Sequence, residues 1–252
     1  MNPSPAHQTL PLVTERLRVR LWTEADRAAF RRMNADPRVM KFFPSTLSEA
    51  ESDALLARIQ AHQAEHGFTL WAVEDKATGN LAGLTGLARV AFDAPFTPCV
   101  EIGWRFLPEY WGTGYALEAA RSVMGCAFKV LELPEVVAFT TESNLPSQGL
   151  MRRLGMLHNP AEDFDHPALP PDHPLQRILQ GIQGLFHGFV KLLPEYPILH
   201  ALALRFRLRI RRQLSQCGGP VLFAHRFIQP CRLKERVTFA GPYPTGFLEI
   251  PL

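Results

Sequence analysis

The sequence predicts an α+β fold built on a mixed, mostly antiparallel sheet, and three observations lead there. Apolar periodicity switches between the two-residue and 3.6-residue repeats in the order β-α-α-β-β-β-α-β-α. The turn Thr78-Gly79-Asn80 separates two strand-like runs, 68–74 and 81–92, with the chemistry of a hairpin. One strand–helix–strand unit then follows and adds a parallel pair to an otherwise antiparallel group.

Each element has a local cause. Residues 12–22 place Leu17, Val19 and Leu21 on one face, the alternation of a strand. Thr23 precedes Glu24-Ala25-Asp26, an N-cap with an acid three positions on. The helix it opens runs to the neighbourhood of Met33 and breaks at Asn34-Ala35-Asp36-Pro37. Ser48 and Glu51 repeat the capping pattern and open a helix that reaches His66 and stops at Gly67. Residues 99–107 read as a strand. Residues 115–131 carry Ala116, Ala120, Val123 and Ala127 at helical spacing, with Leu117, Met124 and Phe128 beside them. Residues 136–141 form a further strand, and 146–154 a short helix ended by Gly155.

Composition narrows the class. With 46% hydrophobic and 20% charged residues, the chain builds a core and is not globally disordered. The first twelve residues pair no basic segment with an apolar stretch, and no window approaches the roughly 20 apolar residues of a spanning helix. A soluble, cytoplasmic protein without membrane contact is the expectation. Cys99, Cys126, Cys217 and Cys231 show neither metal-site spacing nor a disulfide framework. His62, His66, His158, His166 and His173 also lack ligand spacing, so they are expected on the surface or in loops and no metal is expected. The net charge of +3 is uneven: residues 178–252 carry +7 and the body −4. The basicity therefore belongs to the tail and says nothing of the body's ligand.

The most informative segment is Trp111-Gly112-Thr113-Gly114-Tyr115-Ala116, between a strand and a long helix. Glycines there let the backbone approach a ligand and turn several N–H groups toward one point. The following helix adds the positive end of its dipole, so a diphosphate is the natural guest. A P-loop is excluded by the missing Gly-Lys-Ser/Thr ending, and a dinucleotide fingerprint by the missing third glycine. The preceding hairpin also contradicts a doubly wound sheet.

Further segments join this loop in order: Thr14-Glu15-Arg16-Leu17-Arg18, Glu101-Ile102-Gly103-Trp104, Tyr110 through Ala119, Asn144-Leu145-Pro146-Ser147 and Arg153-Leu154-Gly155-Met156. Together they resemble the GNAT N-acetyltransferases, specifically the RimJ/RimL-like branch that acetylates ribosomal proteins. The resemblance covers residues 12–177. It implies a GNAT fold in which the strand ending at Trp104 to Phe106 splays from residues 136–141. The pantetheine arm of acetyl-CoA, the implied cosubstrate, would enter that gap. Trp104, Phe106, Trp111, Gly112, Thr113, Gly114, Tyr115, Ala116, Asn144 and Ser147 are then the implied cofactor-binding residues. Trp111 stands where the family's pyrophosphate pattern has Gln or Arg.

Acetyl transfer needs a neutral amine, a polarised thioester carbonyl and a proton for the departing thiolate. Glu101 is the candidate base, since it precedes the splayed segment and a lone carboxylate suffices, directly or through water. Glu162 and Asp163 are rival carboxylates. Ser147 is the candidate acid toward the thiolate, and Asn144 the partner of the pantetheine amides or the carbonyl. Many family members place a tyrosine seven positions after this asparagine; here Met151 stands there, which fits the branch in which the serine takes over. A backbone N–H near Phe106 would hold the carbonyl. By resemblance, the loops 34–44 and 92–98 bound the acceptor pocket, with Phe42, Phe43, Phe92 and Phe96 as lining. The amine acceptor, a protein N-terminus or a small molecule, stays open. The alternative is a CoA-binding scaffold with little or no turnover.

The resemblance stops at Arg177, where the family's last strand is due. Residues 178–252 lack any Asp, Asn or Trp. The expectation is that this tail is atypical, reflects a changed reading frame and lacks that strand. Its stretch Leu204-Arg205-Phe206-Arg207-Leu208-Arg209-Ile210-Arg211 alternates as a strand with one arginine face, which is the only feature suited to nucleic acid. Residues 1–11 are expected to be a disordered N-terminus.

Overall fold

The computed structural model describes residues 10–184 apart from Pro95. Nine strands form one sheet: β1 (Leu12–Val13), β2 (Leu17–Arg20), β3 (Leu70–Asp75), β4 (Leu81–Arg89), β5 (Val100–Phe106), β6 (Glu135–Thr141), β7 (Leu157–His158), β8 (Phe164–Asp165) and β9 (Arg177–Gly184). Their spatial order is β1-β2-β3-β4-β5-β6-β9-β7, with β8 also pairing β9. Every pairing is antiparallel except β5 with β6. Four helices cover the sheet: α1 (Arg27–Ala35), α2 (Glu49–His66), α3 (Tyr115–Lys129) and α4 (Leu145–Arg153).

Both faces are packed. Ala120, Val123 and Ala127 of α3 and Leu150 of α4 join Leu87 and Ile102 of the sheet in one core. On the opposite face Phe30 and Met33 of α1 and Leu55 and Ile59 of α2 bury Leu70 and Leu84. The small side chains of α3 let it lie close to the strands.

The capping signals act as read. Glu51 accepts from the Ser48 N–H at 2.8 Å while its own N–H donates to Ser48 Oγ at 3.3 Å. The same helix ends where Gly67, at φ 78°, donates its N–H to Gln63. Asp26 accepts from the Thr23 N–H at 2.8 Å, but residues 24–26 are a tight 3₁₀ turn and α1 begins only at Arg27. The strand expected over residues 12–22 is broken into β1 and β2 by a turn in which Thr14 N–H donates to Leu17 O at 3.0 Å.

Two expectations are corrected. The last strand is present: β9 pairs with β6 from Thr141↔Ile178 to Glu135↔Gly184, so the boundary set at Arg177 cuts through the sheet. Ile178 and Ile182 are both buried against Val137 and Phe139 of β6. The surface-or-loop expectation also fails for His62, which is buried within α2 and bridges Phe68 O and the Arg89 N–H at 2.8 and 3.1 Å; His166 is buried as well but lies in the loop after β8. Residues 1–9 of the expected disordered N-terminus and the arginine-faced stretch from Leu204 lie outside the described residues.

One feature of the register positions the site. β4 and β5 pair continuously from Gly83↔Phe106 to Arg89↔Val100. β5 and β6 share a single paired position, Glu101↔Val137, and then part.

The buried edge of β6 makes β9 indispensable. A chain ending at Arg177 exposes Val137 and Phe139 on an unpaired strand and is expected to aggregate. A chain ending at Gly184 is expected to stay soluble. Light scattering at equal concentration compares them, and equal solubility would disprove the role given to β9.

Candidate active site at a divergent strand pair

Alternation along β5 sends successive backbone groups to opposite edges. Leu107 donates its N–H to Ala82 O at 3.0 Å, toward β4, so the polar groups of Phe106 and Trp104 point the other way. They face the gap left by β6. Trp111 Nε1 donates to Phe106 O at 2.8 Å, and Trp104 Nε1 donates across the mouth of the gap to Ser147 Oγ at 3.2 Å. Ser147 lies in the first turn of α4, where its N–H donates to the Asn144 side chain at 3.2 Å. Asn144 is thus the helix cap, and Trp104, Asn144 and Ser147 form one cluster.

The glycine loop closes the same end of the gap. Gly112 and Gly114 have φ of 72° and 83°, the left-handed region that side chains avoid. Nothing lies within 4 Å of the place a Cβ on Gly112 would take, so the backbone there is open to a ligand. Gly114 caps α3 without a side-chain acceptor, and the first N–H groups of that helix have no intrahelical partner. Thr113 Oγ1 donates to Tyr110 O at 2.6 Å, and Tyr115 stacks on Tyr110 with ring centroids 5.5 Å apart. Ala116 lies partly buried in the first turn of α3.

A brace that sequence reasoning missed holds this loop. Glu118 accepts from Thr14 Oγ1 at 2.6 Å, from the Arg16 N–H at 2.9 Å and from Arg16 Nε at 2.7 Å. Arg16 Nη1 also donates to Thr113 O at 2.9 Å, and its guanidinium lies 4.5 Å from the Tyr115 ring centroid. The signal was present in Thr14-Glu15-Arg16 and Glu118, but nothing in either segment says that they meet.

On the other sheet face, β5 presents Glu101, Gly103 and Arg105. Glu101 stands beside Val137, next to the aromatic group of Phe92, Phe96, Phe139 and Phe164, whose neighbouring centroids are 4.9–6.3 Å apart. Burial pushes the Glu101 carboxyl up to about 8, with no hydrogen bond or charge to offset it. By exposure Glu101 is half-buried, whereas Arg105 is buried, and burial pushes its guanidinium down to about 10. Phe43 lies over it with the ring centroid 4.1 Å away, whereas Phe42 meets Lys41 instead.

The rival carboxylates are placed differently. Asp163 accepts from the Gln180 N–H at 3.3 Å and lies 2.8 Å from His158 Nε2, so it ties the β7–β8 connection to β9. Glu162 ends a 3₁₀ turn. Met151 is buried in the core below α4. Among the described residues no three His, Cys, Asp or Glu side chains gather as a metal site, and no helix is long and apolar enough to cross a membrane.

A sheet parted at a parallel strand pair, with a glycine turn and helix N-terminus at the opening, makes a slot for an extended ligand that ends in an anion site. The Acetyltransferase (GNAT) domain model matches residues 16–157, and the chain belongs to that family. It is an acyltransferase of the acetyl-CoA-using kind. The chain is 30% identical to YkkB of Bacillus subtilis (strain 168) over 146 residues, 58% of this chain and 84% of that one. It is 31% identical to the FsC-acetyl coenzyme A-N(2)-transacetylase of Aspergillus fumigatus over 134 residues, 50% of this chain and 56% of that one. An acetyltransferase structure from Agrobacterium tumefaciens superposes with a TM-score of 0.54 at 27% identity, covering 68% of this chain and 92% of that one.

Two predictions follow from these contacts. Glu118→Ala removes the acceptor shared by Thr14 and Arg16, and CoA affinity is expected to fall about tenfold, the size of one charge-assisted hydrogen bond. Calorimetric titration with CoA measures it, and an unchanged Kd would show that the brace does not shape the loop. For Glu101, the unfolded chain releases its proton near 4.5 and the folded chain only near 8. Stability should therefore fall as pH rises between those values and level off above them. Glu101→Gln lacks this loss, so its advantage over the wild type should be small at the acid end of that range and largest above its upper end. Urea unfolding across pH measures the difference, and parallel profiles would contradict the upward shift of this carboxyl.

Proposed function

We propose that the protein is an N-acetyltransferase that moves an acetyl group from acetyl-CoA directly to a primary amine. The parting of β5 from β6 beside the glycine turn carries this reading. The fit is physical: an amide-bearing arm can pair with the free edge of β5 as a strand would, and a diphosphate suits the open N–H groups before α3. Trp104, Phe106, Asn144 and Ser147 would line the arm, and residues Trp111 to Ala116 would cradle the diphosphate.

In the reaction the amine nitrogen attacks the thioester carbonyl. The C–N bond forms, the C–S bond breaks, and the thiolate takes a proton. The Phe106 N–H faces the gap and supplies a donor for the carbonyl oxygen. Glu101, with its carboxyl pushed up to about 8, is matched to accept the proton an α-ammonium group must lose near neutral pH. Ser147 Oγ already accepts from Trp104, so its own hydrogen is free to pass to the thiolate as the hydroxyl takes a proton back from water. Positioning supplies much of the rate, since only two groups must meet. The acceptor is a protein N-terminal amine, as the RimJ/RimL-like motifs suggest, or a small-molecule amine.

The test is thiol release from acetyl-CoA with a panel of amines, preceded by thermal unfolding with acetyl-CoA, CoA and ATP. Acetyl-CoA and CoA should raise the midpoint and ATP should not; the reverse would sink the cofactor assignment. Binding without thiol release for any amine would favour a non-catalytic scaffold. With a turned-over amine, kcat/KM should climb about tenfold per pH unit toward about 8. Glu101→Gln should lose about a hundredfold and keep only the limb that moves with the acceptor's own pKa.

A further inference from the structure

The acceptor's chemistry is written in Arg105, an inference that rests on the acetyltransferase reading above. Arg105 is 5% exposed, and no carboxylate among the described residues pairs with it. Arg20 shows what the fold does elsewhere, because its partly exposed guanidinium is held by both Asp26 and Glu74. The more deeply buried cation is the one left without a counter-charge.

Its surroundings are a cluster of donors. Arg105 Nη1 donates to Asn34 Oδ1, while Arg105 Nε and Asn34 Nδ2 are buried with no acceptor. Asn34 itself is fully buried at the end of α1. An orphaned guanidinium N–H and an orphaned amide N–H beside an unpaired cation ask for acceptors, and the free edge of an arginine fork suits the two oxygens of a carboxylate. Leaving them unmatched is costly in a packed interior.

The cluster also lies on the sheet face of the proposed base. Arg105 shares the β5 face with Glu101, and between them Leu70 packs over Gly103, its Cδ2 3.4 Å from where a Cβ would stand. The loop from Asp36 to Thr46 forms the cover, pinned at its neck where Leu47 N–H donates to Asn34 O at 2.9 Å. Phe43 of this loop is half-buried, belongs to no hydrophobic cluster and caps the guanidinium. Beyond Glu101 the phenylalanine group forms an apolar wall.

We propose that Arg105 and Asn34 form a carboxylate subsite of the acceptor pocket, reached by displacement of the Phe43 ring, so that the substrate is an amine that also carries a carboxylate. Amino acids and peptides ending in a free carboxylate belong to this class, and simple polyamines do not. The subsite sets specificity and takes no part in the bond changes.

The test uses the full chain and calorimetric titration with two matched probes, 3-phenylpropionate and 3-phenylpropanamide. The wild type should bind the carboxylate at least about tenfold tighter than the amide, the worth of a charge-assisted hydrogen bond. Arg105→Gln should erase the preference. Asn34→Asp guards against a variant that fails to fold, because it places a carboxylate beside the guanidinium; it should raise the thermal midpoint and abolish the preference. Equal or absent binding of the two probes by the wild type would overturn the proposal. So would an Asn34→Asp variant that is stabilised yet keeps the preference, since the pair would then only hold the loop. The midpoint shift of the wild type with CoA reports the cofactor site separately, so the two readings fail in different measurements.

Discussion

The single paired position between β5 and β6, Glu101 with Val137, is the constraint on which the rest of the site depends. Beyond it a strand packed on both faces and partly buried has lost its neighbour, and its N–H and C=O groups toward the gap need partners. One indole answers part of that need, Trp111 at the Phe106 carbonyl, while the Trp104 indole spends its N–H on Ser147 Oγ. Neither supplies an acceptor for the N–H groups of Trp104 and Phe106. An extended arm bearing amides would complete the ladder there, which is why the gap reads as a binding slot and not as a packing fault.

Glu101 and Arg105 are opposite in charge, on one face of one strand, and yet do not neutralise each other. Four residues of extended chain separate their Cα atoms by about 13 Å. At an effective dielectric near 20, charges that far apart attract by only about 1.3 kcal/mol. Burying either charge costs several kcal/mol, so the attraction does not offset it. Burial accordingly moves both groups toward neutrality, Glu101 up and Arg105 down. Such a pair is tolerated where a ligand supplies what each lacks, a proton donor at one end and an anion at the other.

Much of this frame was legible from local chemistry. Ser48, Glu51 and Gly67 set the limits of α2, and Thr78-Gly79-Asn80 sets the hairpin, because caps and turns depend on residues a few positions apart. The glycine loop was legible for the same reason. The last strand was hidden because its core face reads Ile178, Gln180, Ile182, and the carboxamide at a fully buried position spoils the apolar alternation. Gly181 on the other face leaves room for Met151, whose Cε lies 2.5 Å from where a Cβ would stand. That reason is visible only once α4 and β9 are side by side. The burial of His62 and the Arg16–Glu118 brace are likewise products of distant segments meeting.

The brace also resolves an electrostatic conflict at the loop. A helix N-terminus carries roughly half a positive charge, which favours a diphosphate. Glu118 sits one turn into α3 and by itself would oppose a second anion at the same place. Arg16 lies between the two effects. Its Nε engages Glu118, its Nη1 engages Thr113 O, and its Nη2 lies 3.5 Å from the Cβ position of Gly114, at the lip of the loop. The carboxylate is thereby neutralised and turned into a mechanical tie, so that it no longer opposes an anion at the open N–H groups. Trp111 links the same loop to the free edge of β5. Slot and cradle are thus held in one register, and a ligand that fits one end is aimed at the other.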